Sequence, residues 1–233
     1  TFMKETKLNK DQIPINFSFI ADKSFDNFVL DKNSVAIELL KDFTIANRTN
    51  IIFIRGNHSS GKTHLCLAVH NLTNKSIFIL NRNNIASIDF QDILKYDSLI
   101  IDDIDFLIAN NIHEENIFAL INEFILMKKS MIVTSTEKLN NINFTIPDLA
   151  SRLKWDQILE IPELNDSDKI KVLQKNAHER GWDLTPKVCD YIMNHYKRDL
   201  YFLCNCIKFI DETSLSLKKK ITIPFIKKII EYK

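Results

Sequence analysis

Glycine is nearly missing from this chain, which holds three in 233 residues: Gly56, Gly61 and Gly181. An excess of either charge is missing too, since 31 Lys and Arg face 30 Asp and Glu. That balance excludes a global field able to hold nucleic acid by net charge alone. No stretch approaches the roughly 20 apolar residues of a membrane helix. The amino terminus is charged and polar and lacks a signal-peptide core. A cytoplasmic chain with no membrane partner is expected. The four cysteines, Cys66, Cys189, Cys204 and Cys206, stand in apolar or helical surroundings. Cys204-Asn205-Cys206 is too tight and too isolated for a zinc site or a disulfide framework, so all four read as reduced core thiols. Ile, Asn and Lys are abundant as a bias of genome composition, not as a low-complexity segment. Thr1 and Phe2 precede Met3 and are set aside.

In a chain so poor in glycine, the placement of the few it has carries information. Gly56-Asn57-His58-Ser59-Ser60-Gly61-Lys62-Thr63 matches G-x-x-x-x-G-K-[ST] at all four constrained positions. Ile51-Ile52-Phe53-Ile54, β-branched and aromatic, comes just before it, and Thr63 to Val69 continue as an apolar, helix-compatible segment. Strand, loop and helix are the context this motif requires. Such a loop turns backbone N–H groups inward and adds the positive end of the helix dipole, which together hold a nucleotide's phosphates. Lys62 then serves the β- and γ-phosphates and Thr63 places its hydroxyl on Mg²⁺. The plain alternative is a glycine turn between strand and helix that holds no ligand.

A phosphate loop needs a second strand that carries an acid. Ser98-Leu99-Ile100-Ile101-Asp102-Asp103 runs apolar and then ends in two carboxylates. Asp102 fits the acid associated with the metal, and Asp103 the neighbour that orients water for attack on the γ-phosphate. An apolar strand ending in acids says little alone; beside the loop it says much.

The remaining pattern alternates. Residues 1–24 lack periodicity and read as an extended arm. Helical spacing of Val35, Leu39, Leu40 and Phe43 predicts a helix over 33–46, and further helices are expected over 90–94 and 114–127. Strands are expected at 76–80, 99–101 and 131–134. Alternating strand and helix predict a parallel sheet covered on both faces. Beyond Pro162 helices are expected over 166–180, 186–196, 200–213 and 224–232, with Gly181 capping the first. At this length the chain is expected to form one nucleotide-binding domain plus a small second unit.

A phosphate-loop sheet followed by a small helical lid is the plan of AAA+ ATPases, and local strings sharpen the likeness. Ser24-Phe25-Asp26-Asn27-Phe28-Val29 resembles the segment before the nucleotide-binding core of the bacterial replication initiator DnaA. Gly61-Lys62-Thr63-His64-Leu65 and Ile101-Asp102-Asp103-Ile104 resemble its Walker motifs. Pro147-Asp148-Leu149-Ala150-Ser151-Arg152-Leu153-Lys154-Trp155, Asp166-Ser167-Asp168-Lys169, Arg180-Gly181 and Ile221-Thr222-Ile223-Pro224-Phe225 are together similar to the Hda family. Those are DnaA-related regulators that inactivate the initiator.

The resemblance implies an α/β fold: an AAA+ P-loop parallel sheet flanked by helices, followed by a small all-helical lid. It divides the chain into an arm (1–24), a base (25–161) and a lid (162–233). It implies that ADP or ATP lies against Val29, Gly56, Asn57, His58, Ser59, Ser60, Gly61, Lys62, Thr63, His64, Asp102, Thr136 and Arg198, with Mg²⁺ on Thr63 and Asp102. By the same resemblance Arg152, beside Asp103 the other catalytic candidate, is an arginine finger offered to ATP on DnaA; its planar, permanently charged guanidinium suits phosphate oxygens. Gln12-Ile13-Pro14-Ile15-Asn16-Phe17 resembles the short sequences that bind the β sliding clamp on DNA, with Ile13, Ile15 and Phe17 alternating as in an extended peptide. The bland counterparts are an Arg152 paired with Asp148 and an arm strand packed on the protein's own core.

The implied function is negative regulation of replication initiation through hydrolysis of DnaA-bound ATP. An autonomous loader-type ATPase and a non-catalytic recruitment adaptor stand as alternatives. The chain ends at Lys233, where DnaA continues into a helix-turn-helix domain, as expected of a regulator. Two positions depart from the initiator: Thr136 stands where it has an acid, and the lid's nucleotide sensor falls on Arg198 or Tyr201. Both bear on this chain's own hydrolysis, which is expected to be weak, with ADP as a structural ligand. His58 is a loop filler or a proton-dependent contact, and His64 a packing residue or a ligand contact. Lys218-Lys219-Lys220 and Lys227-Lys228 are a solvated face or a weak DNA contact, Trp155 and Trp182 core or interface anchors. A homodimer is compatible with the sequence.

Overall fold

The computed structural model describes residues 23–29, 34–45, 49–109 and 113–230. The Gln12–Phe17 motif lies outside them. Its elements in chain order are α1 (Ser34–Ile45), β1 (Ile51–Gly56), α2 (Lys62–Leu72), β2 (Ile77–Leu80), α3 (Phe90–Ile93), β3 (Ser98–Ile101), α4 (Ile104–Leu107), α5 (Glu114–Leu126), β4 (Ser130–Ser135), a 3₁₀ turn (Leu139–Asn141), α6 (Pro147–Leu153), β5 (Gln157–Ile161), α7 (Asp166–Glu179), α8 (Pro186–His195), α9 (Leu200–Leu217) and α10 (Ile223–Ile230).

The five strands form one parallel sheet in the order β2-β3-β4-β1-β5. Crossover helices cover both faces, so each strand is an almost unbroken apolar run. Phe53, Leu99, Ile101, Met131 and Val133 pack on one face with Ile117, Ile121, Phe124, Leu149 and Leu153 of α5 and α6. Ile52, Ile54, Ile100 and Ile132 alternate to the other face, against Leu40 and Phe43 of α1 and Leu65 and Val69 of α2. Each such side chain, fully buried, contributes about 1.5–3 kcal/mol of apolar transfer. The sheet exists to bring the ends of β1 and β3 together, since the phosphate loop and the acids leave those two ends.

Helices α7 to α10 bury a separate cluster that includes Leu173, Ile192, Leu203, Ile207, Ile210 and Ile226. Gly181 (φ 85°) ends α7 as expected, its N–H donating to His178 O and the N–H of Trp182 to Ala177 O. This double return is the Schellman arrangement, which needs the left-handed conformation glycine adopts without strain.

Four elements go beyond the sequence expectations: α4, the 3₁₀ turn, α6 and the edge strand β5. In addition α9 runs to Leu217, four residues past the expected end at 213, and stops where Lys218 takes φ 49° and its N–H returns to Leu215 O. Among the described residues no helix is long and apolar enough to cross a membrane.

Candidate functional site

The loop after β1 is shaped by two left-handed residues, Ser59 (φ 62°) and Gly61 (φ 96°). A Cβ on Gly61 would lie 2.5 Å from the Phe28 ring, and one on Gly56 would lie 2.3 Å from Ser60 Oγ and 3.2 Å from Ile161 O. Both glycines are therefore demanded by close approach, and Gly61 by its dihedral as well. Lys62, the first residue of α2, is 6% exposed. Its Nζ donates to Gly56 O (2.8 Å) and Asn57 O (3.3 Å) and stands 3.9 Å from Asp103 Oδ1. The ammonium thus sits inside the loop. Ser60 Oγ is buried there without a partner among the described residues, an orphaned polar atom beside the loop backbone. The loop fits a nucleotide's phosphates.

Asp102 directly follows β3 and is buried. Its Oδ2 accepts from Thr63 Oγ1 (2.8 Å) and its Oδ1 from Thr134 Oγ1 (2.8 Å), while Thr134 Oγ1 also accepts the Asp103 N–H (2.8 Å). One fully buried threonine thereby fixes both acids. The sequence reading passed over Thr134, although a polar residue within the buried run Met131-Ile132-Val133-Thr134 is itself a signal, because burial without a partner is costly. Mg²⁺ keeps several waters and takes one or two carboxylates plus phosphate oxygens. Thr63 and Asp102 fit that requirement, and among the described residues no group of three or more His, Cys, Asp or Glu offers a different cage.

Asp103 adopts φ 58° and holds its carboxylate between two cations, Lys62 on one oxygen and Arg82 Nη2 (3.4 Å) on the other. Burial raises its carboxyl above the ordinary range, and Asp102 adds to that, with Lys62 and Arg82 opposing. Arg82 was not foreseen from sequence; its guanidinium lies 4.0 Å over the Phe106 ring. Burial, with Asp102 and Asp103 adding, also pushes the Cys66 thiol well up, leaving it an inert core group.

The other named residues divide. His64 faces away from the loop: its ring nitrogen Nε2 lies 2.9 Å from Ser24 O and its ring packs edge-on to Phe28. Burial lowers its pKa to about 4, the nearby Lys23 and Lys175 assisting, so at neutral pH the uncharged ring donates Nε2–H to that carbonyl. His64 therefore clamps the segment that carries Phe28 and the half-buried Val29 beside the loop. The backbone N–H of Thr136 donates to Asp105 Oδ2 (3.2 Å). On the lid, Asp199 caps α9 by accepting from Phe202 N–H (2.8 Å), and its second oxygen accepts from Ser59 Oγ (3.2 Å). His58, Ser59, Glu163, Leu164, Lys169, Asp199 and Leu200 line a small cavity between loop and lid. Neither sensor candidate touches the loop: Arg198 pairs with Asp166 and donates to Met193 O, and Tyr201 is 71% exposed.

Arg152 lies in the last turn of α6. Gln157 pairs with Ile52 and Ile161 with Gly56, so β5 begins at the amino-terminal end of β1 while the loop leaves the opposite end. Those four strand steps alone span roughly 13 Å. Arg152, preceding β5, stands at the far end of the sheet from its own phosphate site. Among the described residues no carboxylate pairs with it, Asp148 included, and its guanidinium lies 5.8 Å over the Trp155 ring.

Residues 166–230 match the family model of the Hda lid domain, and residues 67–160 that of the bacterial DnaA ATPase domain. The chain belongs to the Hda-like, DnaA-related AAA+ family. An uncharacterized protein of Haemophilus influenzae is 32% identical to this Hda-like chain over 230 residues, covering 96% of it and 99% of the relative. Domain III of Thermotoga maritima DnaA superposes with a TM-score of 0.78 at 19% identity, covering 91% of this chain and 96% of that domain. AMPPCP-bound DnaA of Aquifex aeolicus gives 0.68 at 24% identity over 82% of this chain and 64% of that one. The RuvB branch-migration motor of Thermotoga maritima gives 0.67 at 17% over 90% and 72%. These likenesses establish the AAA+ fold, a parallel five-stranded sheet with a helical lid.

Proposed function

We propose that this chain is a regulator of DnaA that binds an adenine nucleotide at its own loop and offers Arg152 to ATP held by the initiator. The observation that carries the reading is the separation of the two groups: Arg152 is unpaired among the described residues and lies at the end of the sheet remote from Lys62 and Asp102. An arginine so placed serves a nucleotide on another subunit. The lid match to Hda and the ATPase-domain match to DnaA support DnaA as the partner. In phosphate-loop NTPases an arginine supplied in trans contributes on the order of 10³ to 10⁵ in rate, by stabilising charge that develops on the transferred phosphoryl group.

At this chain's own site, Gly56 to Gly61 and Lys62 would hold the phosphates, and Thr63 with Asp102 would hold Mg²⁺, which supplies charge neutralisation between phosphate oxygens. Thr134 keeps Asp102 aimed at Thr63. Asp103, bracketed by Lys62 and Arg82, is restrained from acting as a free base, and intrinsic turnover is low. ADP then acts as a structural ligand at the junction of loop and lid. The arm brings the chain to the DNA-loaded sliding clamp through Gln12, Ile13, Pro14, Ile15 and Phe17, and the work is cytoplasmic.

The test is hydrolysis of initiator-bound ATP with clamp-loaded DNA present. The chain is expected to stimulate it, and Arg152→Ala to lose at least about 10³-fold of that stimulation while keeping its own nucleotide affinity. Stimulation undiminished in Arg152→Ala would discard the finger.

A further inference from the structure

Trp155 is 62% exposed and Ile158 53% exposed, on the margin of the sheet where, among the described residues, β5 pairs with β1 alone. Large apolar side chains left this bare beside an arginine unpaired among the described residues need a cause. The indole is not loosely hung: its backbone N–H donates to Arg152 O (3.3 Å), Leu153 just before it is fully buried, and Asp156 just after it accepts the Ile51 N–H (3.3 Å). The ring stands on a pinned turn, so its docking costs little further ordering.

Resting on the regulatory reading above, we infer that Trp155 and Ile158 form the docking surface for the nucleotide-bearing face of a partner ATPase domain, with Trp155 as its anchor. Charge argues for that occupant. Arg152 rests against the indole and Lys154 beside it is exposed, while Asp156 on the other side is engaged by the Ile51 N–H, so a partner that covers the indole gains by setting something anionic against the two cations. The phosphates of a nucleoside triphosphate emerging at the partner's surface meet that need. Trp and Arg together are the residue types that carry most binding energy at interface centres, and a tryptophan supplies about 150–250 Å² of contact.

The inference separates binding from rate. With ATP-loaded DnaA, dissociation of the complex and the stimulated hydrolysis rate are measured for the wild-type chain, Trp155→Ala, Trp155→Phe and Arg152→Ala. Trp155→Ala is expected to bind at least about tenfold more weakly, to reach the wild-type rate at saturation, and to be largely rescued by Trp155→Phe. Arg152→Ala is expected to lose rate at every concentration. An exposed indole adds little to folding, and unchanged thermal melting of Trp155→Ala would confirm that the variant is folded. Should the wild-type chain stimulate hydrolysis and Trp155→Ala bind equally well, the anchor is overturned while the regulatory reading stands. If the wild-type chain neither binds nor stimulates, the regulatory reading falls and takes this inference with it. A dimer of the chain alone that Trp155→Ala splits would make a second copy the occupant, and overturn the assignment to DnaA.

Discussion

His64 follows Thr63, yet its ring turns to the other side, away from the Thr63–Asp102 pair. Its ring clamps Ser24 and Phe28 against the loop, and its pKa of about 4 follows from burial first. The consequence for stability has a definite sign. Above pH 6.5 the imidazole is neutral in both the folded and the unfolded chain. As pH falls from 6.5 towards 4 the unfolded chain binds a proton that the folded chain refuses, so stability declines by up to ~1.4 kcal/mol per pH unit. Below 4 this contribution is flat. Partial exposure of the ring keeps the total near ~1–2 kcal/mol. Urea unfolding of the nucleotide-free protein at pH 7, 6, 5 and 4 should show the decline, and His64→Gln, which keeps a donor for Ser24 O, should lessen it. Equal slopes in both proteins would assign the pH dependence to other groups.

Helix α6 shows how an element is placed by groups distant in sequence. Pro147 opens it, and the preceding Ile146 is held extended (φ −99°, ψ 102°), as a residue before proline prefers. No side chain of its own caps it; instead Glu114, the first residue of α5 and 1% exposed, accepts the Ile146 N–H at 2.8 Å. Glu114→Ala leaves that N–H without its partner and is expected to cost about 1–3 kcal/mol. Because α6 carries Arg152, the same variant should lose stimulation of DnaA while its own nucleotide affinity persists. Denaturant melts paired with nucleotide titration check both halves. The case also explains which elements were legible in sequence. Ile51–Ile54 and Leu99–Ile101 announce themselves because parallel strands are buried on both faces. Gln157–Ile161 does not, since an edge strand mixes Ile158 and Glu160 outward with Leu159 and Ile161 inward over five residues. The phosphate loop and its acids were legible because their chemistry fixes residue types at fixed spacing. Thr134 and Arg82 were not, because their partners are set by strand register: Thr134 meets Asp102 only when β3 and β4 align.

Across the whole molecule, base and lid meet through few polar contacts at the loop: Ser59 with Asp199, Asn57 with Glu163, and on the far side Lys175 with the Asp26 carbonyl. Each is exposed or nearly so, and exposed polar pairs contribute little, typically under about 1 kcal/mol. The lid has its own apolar cluster, and only a small cavity lined by His58, Ser59, Lys169 and Asp199 lies between it and the loop among the described residues. A nucleotide whose phosphates the loop holds binds the folded chain and not the unfolded one, and stabilises it by mass action. At a hundredfold excess over its dissociation constant ADP should add ~2.7 kcal/mol. For a chain of this length that raises Tm by roughly 5–10 °C. Lys62→Ala removes the phosphate contact and should abolish the shift; because Lys62 Nζ also holds two loop carbonyls and stands 3.9 Å from Asp103, the variant's ligand-free Tm is expected to fall somewhat and serves as its own baseline. Scanning calorimetry with and without ADP distinguishes the outcomes. A wild-type shift absent in Lys62→Ala makes the nucleotide a structural ligand of the loop and lid, whereas equal shifts in both proteins would move the binding site elsewhere.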